Sequence, residues 1–307
     1  MVRIGLIGGR GHTGREILRL LSRRDDLVLA LASSRELAGR KVRETAPELA
    51  TELAFAAVTP EDLRDAKLDA VILALPNGAA APYIAAIDAR TVIVDLSADY
   101  RFNEDWVYGL PEIYGRGPIR GAKRIANPGC YATCGQLAIA PMRDALDGPA
   151  HVFGVSGYSG AGTTPSRKND AEALADNLMP YALTGHIHER EMAQHLGVGV
   201  RFSPHVAAFF SGLSTTVQME LKSPMSAESV RERYTAAYHN EPLVALTTDV
   251  PEPAMISARP GALVGGWSLS EDGCQLALVS ALDNLQKGAA VQALQNLSLA
   301  FGLPEYV

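Results

Sequence analysis

A compact apolar run, Val2–Ile7, passes directly into Gly8-Gly9-Arg10-Gly11-His12-Thr13-Gly14, and then into Thr13–Arg23, where Ile17, Leu18, Leu20 and Leu21 recur at helical spacing. Strand, glycine turn and helix in that order commit the chain to a βαβ beginning, because glycines permit the tight reversal and the close approach of backbone to a ligand. The pattern reads either as Gly9-x-Gly11-x-x-Gly14 or as Gly8-x-x-Gly11-x-x-Gly14. In both, unpaired N–H groups and the positive end of the helix dipole face the loop, which suits a dinucleotide pyrophosphate. The bland alternative is a glycine-rich turn with no ligand. Leu27–Ala32, Ala70–Leu75 and Val92–Asp95 continue as strands of the same kind, so the first part of the chain predicts a doubly wound, Rossmann-type parallel sheet.

After about residue 142 the texture changes. His151–Gly157, Phe202–Phe209, Leu213–Leu221, Leu243–Asp249 and Cys274–Leu282 read as longer strands with fewer helices between them, which predicts a second domain on a mixed or antiparallel sheet. Pro251–Pro253 and Arg259–Gly266 read as loops within it. Gln286–Phe301 reads as a helix that returns to close the first domain. The expected fold class is therefore α/β plus α+β, with residues 1–129 and 284–307 as the nucleotide-binding domain and 130–283 as the catalytic and oligomerisation domain; 307 residues are ample for two cores.

Composition excludes several functions. The formal net charge of −6 lacks the basic footprint of a nucleic-acid binder. No apolar run approaches the roughly 20 residues of a membrane span, and the six-residue apolar start is too short for a signal sequence. Three cysteines, Cys130, Cys134 and Cys274, are an odd number in a chain of this size and argue for reduced thiols, hence a cytoplasmic protein.

Two positions refine the ligand. An acidic side chain at the end of the second strand would hold the ribose 2′-hydroxyl of NAD. Here Ser33-Ser34-Arg35 stands instead, and two hydroxyls with a guanidinium suit a 2′-phosphate, favouring NADP over NAD, although Glu36 follows directly. Further on, Asn127-Pro128-Gly129-Cys130 follows a short strand, Arg124–Ala126, and opens Tyr131–Met142, which has the composition of a helix. Cys130 at a helix N-terminus would be ionised by the dipole and free amides and become a nucleophile; the alternative is a buried packing cysteine. Cys134, one turn inside, and Cys274, in an apolar run, read as packing.

These segments together resemble the N-acetyl-gamma-glutamyl-phosphate reductase family, in its shorter size class. The resemblance runs through Ile125–Pro141 around Cys130, Asp95-Leu-Ser-Ala-Asp-Tyr-Arg101-Phe, Gly109–Tyr114, Ser156-Gly-Tyr-Ser-Gly-Ala-Gly162, His186-Ile-His188-Glu189 and Asp283–Asn296, in family order. Two positions depart from the pattern: Cys134, where the family usually has a small residue, and Ile187, where it commonly has a basic one. The resemblance implies NADPH-dependent reduction of an acyl phosphate to a semialdehyde and phosphate in arginine biosynthesis. It implies Cys130 as nucleophile and His188, with His186 as alternate, as proton carrier. Gly8, Gly11, His12, Thr13, Gly14, Ser33, Ser34, Arg35 and Asn284 would hold NADP, and Arg101, Ser159 and Gly160 the substrate. Arg101 is also readable as an ion-pair partner of Asp99, Asn284 as a turn or N-cap residue, and the two histidines as polar loop residues projecting to one side of an extended segment.

No metal is expected, since no third ligand lies at conventional spacing from the His-x-His pair. A serine hydrolase is excluded because Ala161 stands where a nucleophile elbow needs glycine. An aspartate-semialdehyde dehydrogenase, an aminoadipyl-phosphate reductase or a non-enzymatic NADP sensor remain as rivals. A homo-oligomer joined through strands of the second domain is expected by analogy.

Overall fold

The computed structural model describes residues 1–305. Tyr306 and Val307, the end of the segment expected to rejoin the first domain, lie outside the described residues. The chain divides into two compact units, Met1–Gly129 together with Ala289 onward, and Cys130–Gly288.

The first unit alternates strand and helix: β1 (Val2–Ile7), α1 (His12–Leu21), β2 (Leu27–Ser33), β3 (Ala70–Leu73), α2 (Ala81–Ala86), β4 (Val92–Asp95), β5 (Val107–Tyr108), α3 (Pro111–Tyr114) and β6 (Arg124–Ala126). Its six strands are all parallel, in the order β2-β1-β3-β4-β6-β5. The central strands are short and continuously apolar because helices and loops cover both faces; all residues of β3 and β4 are buried. In α1 the buried positions are Gly14, Ile17, Leu18, Leu20 and Leu21, a single stripe, each large aliphatic contributing about 1.5–3 kcal/mol by leaving water.

The second unit holds α4 (Cys130–Ile139), β7 (Ala150–Gly157), α5 (Ala171–Leu174), β8 (Leu178–Pro180), α6 (Ile187–Leu196), β9 (Val200–Ala207), β10 (Leu213–Glu220), α7 (Ala227–Tyr238), β11 (Val244–Thr247), α8 (Pro253–Ile256), β12 (Ala262–Leu269) and β13 (Gln275–Leu282). These form a seven-stranded mixed sheet, β11-β12-β13-β10-β7-β9-β8, with β11·β12 and β7·β9 parallel and the other pairs antiparallel. On β7, β9 and β10 burial alternates along the strand, so one face packs and the other does not. Helix α4 lies against β10 and β13 and is buried on every side from Tyr131 to Ile139. It ends at a tighter turn, Ala140–Ala145, where Pro141 cannot donate the next helical hydrogen bond.

Four local expectations are corrected. Arg259–Gly266 is not a loop throughout: Ala262 onward is β12, and its glycines pack so closely beside β11 that Gly265 has no room for a Cβ next to the Thr247 carbonyl. The second unit also carries α6 and α7, whose mixed charged and apolar faces hide a helical period. Cys274 is not inside a strand but half-buried in the turn before β13, its N–H donating to Asp272. Gln286–Phe301 is broken: Gln286–Ala290 is a wide turn in which the N–H of Gly288 reaches the carbonyl of Asp283, and only then does α9 (Val291–Phe301) begin. Helix α9 packs on β4 and α1 of the first unit, with Arg24 donating to Ser298, so the chain does return to its opening sheet.

Candidate active site

Three of the four loop glycines are needed by the protein itself, and one is not. Gly8 has φ +99°, and a Cβ there would strike the Ala74 carbonyl; a Cβ on Gly14 would strike the main chain of Gly8 and Gly9; one on Gly9 would lie 2.7 Å from the Phe55 ring. Gly11 has an ordinary φ of −61°, and the nearest atom to a Cβ there is 3.9 Å away. Its bareness therefore serves the open side of the loop. Gly11 is the N-cap of α1, gives no side-chain cap and is followed by no acidic residue in the first turn, so the amides and dipole of α1 remain directed at an anion. In that turn burial, then Arg15, holds His12 below its ordinary pKa, which favours a neutral imidazole.

At the tip of β2 the carbonyl of Ser33 accepts from Gly8 and Gly9 N–H at 3.2 and 2.9 Å, tying the loop to the next strand. The Ser34 hydroxyl accepts from Leu37 N–H at 3.2 Å, and Arg35 is exposed. Glu36, the one carboxylate beside them, is paired to Arg10 of the glycine loop at 2.7 Å. The residues fit a dinucleotide with a 2′-phosphate.

Beyond the carboxyl ends of β3, β4 and β6 the first unit carries a polar network. Both carboxylate oxygens of Asp99 accept from Gly78 N–H at 2.9 and 2.8 Å, and Asn77 accepts from Ala98 N–H at 3.0 Å. Asp99 therefore holds a loop amide. Arg101 is buried, its Nε donating to the Asn127 carbonyl at 2.9 Å and its Nη2 to the Leu96 carbonyl at 2.8 Å. These two donors clamp strand ends together, a structural task that the phosphate reading of Arg101 did not foresee. Asp95 accepts from Ser97 Oγ and is enclosed; burial raises its carboxyl pKa and Asp99 adds to the shift. Asn127 Oδ1 accepts from Asn296 of α9 at 3.0 Å.

Cys130 is the first residue of α4 and is half-buried. Its position is set by packing on three sides of the helix. Tyr131 donates its hydroxyl to the His205 carbonyl, and its ring fits against Gly154, where a Cβ would lie 2.5 Å from it. Gly135 leaves no room for a Cβ beside Met192, which lets α6 close on α4. Gly288 approaches so closely that a Cβ would be 2.7 Å from Cys130 Cβ. That wide turn is organised by Asp283, buried, which accepts from Leu285 and Gln286 N–H on one oxygen and from Ser211 Oγ and Ala258 N–H on the other. Sequence reasoning assigned no role to Gly288 or Asp283, although Asp283–Asn296 was among the segments singled out.

The two histidines do not lie in an extended segment. His186 is the N-cap of α6, its Nδ1 accepting from His188 N–H at 3.1 Å, and His188 lies in the first turn. Their rings meet edge to face at 4.8 Å, and the His188 ring centroid is 6.1 Å from that of Tyr131. An N-cap that accepts must be unprotonated there, and burial, then Lys168, lowers the pKa of His186. The geometry thus separates the pair: His186 holds the helix end and His188 stands beside the residue that follows Cys130. Tyr181, unnoticed in the sequence, meets the His186 ring edge to face at 5.6 Å; burial, then the Cys130 sulfur, raises its pKa.

Cys134 is a packing residue as expected. Its Sγ donates to Ser280 and accepts from Thr215, and burial pushes its thiol up to about 12. Asn284 is a strut: its oxygen accepts from Gly212 N–H and its amide donates to Ser159 Oγ, both at 2.9 Å. Gly160 faces the same group, a Cβ there falling 3.1 Å from Ser156 Oγ and 3.6 Å from Asn284 Nδ2. Among the described residues no group of three or more His, Cys, Asp or Glu is arranged to hold a metal ion, and no helix is long and apolar enough to cross a membrane.

A family model described as the semialdehyde dehydrogenase NAD-binding domain matches residues 3–121, and one described as the semialdehyde dehydrogenase dimerisation domain matches residues 130–284. Among solved structures, aspartate semialdehyde dehydrogenase II of Vibrio cholerae, complexed with ASA, superposes with a TM-score of 0.76 at 18% identity over 97% of this chain and 98% of that one. The enzyme of Candida albicans with NADP gives 0.73 at 15% identity over 97% and 98%. These likenesses establish the fold. A parallel nucleotide-binding sheet and a mixed-sheet unit opened by a cysteine define the class, a phosphorylating semialdehyde dehydrogenase.

The sequence relatives narrow it. N-acetyl-gamma-glutamyl-phosphate reductases of Stenotrophomonas maltophilia and Xanthomonas oryzae pv. oryzae are 52% and 51% identical over 98% of this chain and 96% of theirs. That of Xylella fastidiosa is 49% identical over 98% and 93%. The chain belongs to the N-acetyl-gamma-glutamyl-phosphate reductase family.

Proposed function

We propose that this enzyme reduces N-acetyl-gamma-glutamyl phosphate to the 5-semialdehyde and phosphate at the expense of NADPH, the reaction for which its relatives are named. The observation that carries the reading is Cys130 at the start of α4, locked in place by Gly288 and the Tyr131 anchor.

A thiolate there attacks the acyl carbon of an activated acyl donor; the carbon–oxygen bond to phosphate breaks, and a thioester is left on Cys130. Amides of the first turn of α4 stabilise negative charge on that sulfur before attack. Gly8, Gly11, His12, Thr13 and Gly14 of the glycine loop would hold NADPH, with Ser33, Ser34 and Arg35 suited to its 2′-phosphate, and the bound cofactor would supply the hydride. His188 delivers the proton to the oxygen of the reduced carbon and takes it back as the aldehyde leaves Cys130. His186 stays neutral as the cap, so its exchange for His188 in that role is disfavoured. Asn284, Ser159 and Gly160 form one rigid group suited to orienting a carboxamide or substrate oxygen. Arg101 acts on substrate through the loop it clamps.

A cytoplasmic location suits an NADPH-dependent enzyme with a catalytic thiol. The open face of the mixed sheet, where Phe153 is 42% exposed, is suited to pairing with a second copy. The test follows the reverse reaction: NADP reduction with N-acetylglutamate semialdehyde and phosphate, against aspartate semialdehyde and phosphate. Preference for the acetylated substrate is expected; preference for aspartate semialdehyde overturns the substrate assignment.

A further inference from the structure

The second unit brings a lysine over the ring of Tyr181, which in turn packs on His186. Lys168 lies in a short turn, Arg167–Asn169, that is fastened by one side chain: Asn169 accepts from Ser166 N–H at 2.8 Å and donates to the carbonyls of Gly162 and Thr164 at 3.0 and 2.8 Å. The turn is therefore fixed although its surroundings are exposed. Lys168 itself is half-buried, and its Nζ sits 4.7 Å from the centroid of the Tyr181 ring. The same Tyr181 ring meets His186 edge to face at 5.6 Å, and His186 meets His188 at 4.8 Å. Among the described residues no carboxylate lies within ion-pairing distance of the Lys168 ammonium, and the structure gives it no hydrogen-bond acceptor.

An ammonium with three donors and no acceptor is costly to hold partly desolvated unless something anionic visits it. Its neighbours supply no such anion in direct contact, since Glu189 is engaged by Phe202 N–H at 2.8 Å. Yet the reaction brings one. As Cys130 Sγ forms its bond to the acyl carbon, the carbon–oxygen bond electrons depart with the phosphate, and charge grows on that oxygen. A fixed cation placed to meet that oxygen stabilises this charge more in the transition state than in the ground state.

We propose that Lys168 is the phosphate-binding cation of this site, holding the phosphoryl group of the acyl phosphate and receiving the phosphate as it leaves. The proposal rests on the acyl-phosphate reading given above and deepens it. Lysine suits this task because a compact charge on a flexible stem can follow a group that moves away during the reaction.

The test uses Lys168→Met and Lys168→Arg in the full-length enzyme, assayed in the reverse direction with inorganic phosphate as the varied substrate. For Lys168→Met the KM for phosphate is expected to rise about tenfold to a hundredfold, the loss expected for a charged hydrogen bond, with the KM for semialdehyde nearly unchanged; Lys168→Arg should recover part of the loss. A rise in the semialdehyde KM alone would show that the ammonium reads the substrate carboxylate and would overturn the proposal, as would no change in either. A second readout needs no turnover: relative to iodoacetamide, anionic iodoacetate should label Cys130 faster in wild type than in Lys168→Met, and phosphate should slow that labelling in wild type only. Equal ratios in the two proteins overturn the proposal while leaving the reductase reading intact. A wild type that oxidises no semialdehyde with phosphate breaks that reading instead.

Discussion

Two helices of this molecule begin at a place where chemistry is expected, and they begin in opposite ways. Helix α1 starts from Gly11 with nothing but main chain, no side-chain cap and open space where a Cβ would stand. Helix α4 starts from Cys130, a reactive side chain crowded by Gly288 and secured by Tyr131. The same terminal amides and dipole act in both. In the first they are left bare to receive the charge of a ligand; in the second they face a thiol that the protein carries itself. Emptiness is the functional property of one and tight packing that of the other, so similar substitutions should have opposite signatures.

The sharpest break of that contrast is Cys130→Ala. Turnover should fall by about 10⁴-fold or more, while NADPH affinity by fluorescence titration stays within twofold, since nothing in the glycine loop depends on the thiol. Next comes the pair His188→Asn and His186→Asn. The former should lower kcat by about 10²–10⁴-fold; the latter keeps an N-cap acceptor and should leave kcat within about tenfold, whereas His186→Ala should cost about 1 kcal/mol of stability by denaturant unfolding. Equal losses of kcat in the two Asn variants would dissolve the division of labour at α6.

The glycines give the third prediction. Gly14→Ala meets main chain and should destabilise the first unit by about 1–3 kcal/mol. Gly11→Ala meets nothing and should leave the thermal midpoint of the apo protein nearly unchanged while weakening NADPH binding about tenfold or more. The smallest expected effect is on pH. His186 has a folded pKa below its unfolded value, so the unfolded chain binds more protons. Its contribution to stability is present above about pH 6.5 and declines as pH falls below that value toward the lowered folded pKa. Asp95 works the other way: its raised pKa makes its contribution decline as pH rises from about 4, so Asp95→Asn should raise the melting temperature at neutral pH. Unfolding curves from pH 4 to 8 check both.

Much of the first unit was legible because its strands are short uninterrupted apolar runs and its first turn must be glycine. β1 and β4 fall at the residues the pattern predicts, and β2 and β3 within two residues. The second unit was less legible for physical reasons. α6 carries His, Glu and Arg among its buried Met192 and Leu196, and it begins at an imidazole cap rather than at Ser or Asp, so neither period nor cap announced it. β12 contains Gly265 and Gly266, which read as a loop, but Gly265 serves close packing beside Thr247 of β11 and Gly266 has φ +63° beside Val250. In the site, Cys130 was visible from Pro-Gly and the helix that follows. Lys168 and Tyr181 were not, since no local pattern records that a turn and a strand end more than ten residues apart meet, ammonium over ring.

The return of α9 to the opening sheet also orders events in time. During synthesis, the strands β1 to β6 emerge first but lack the helix that covers β4 and pairs Asn296 with Asn127. The continuous second unit can mature while its predecessor still waits, incomplete, for α9. A sheet begun at β1 is thus finished only once α9 has been made.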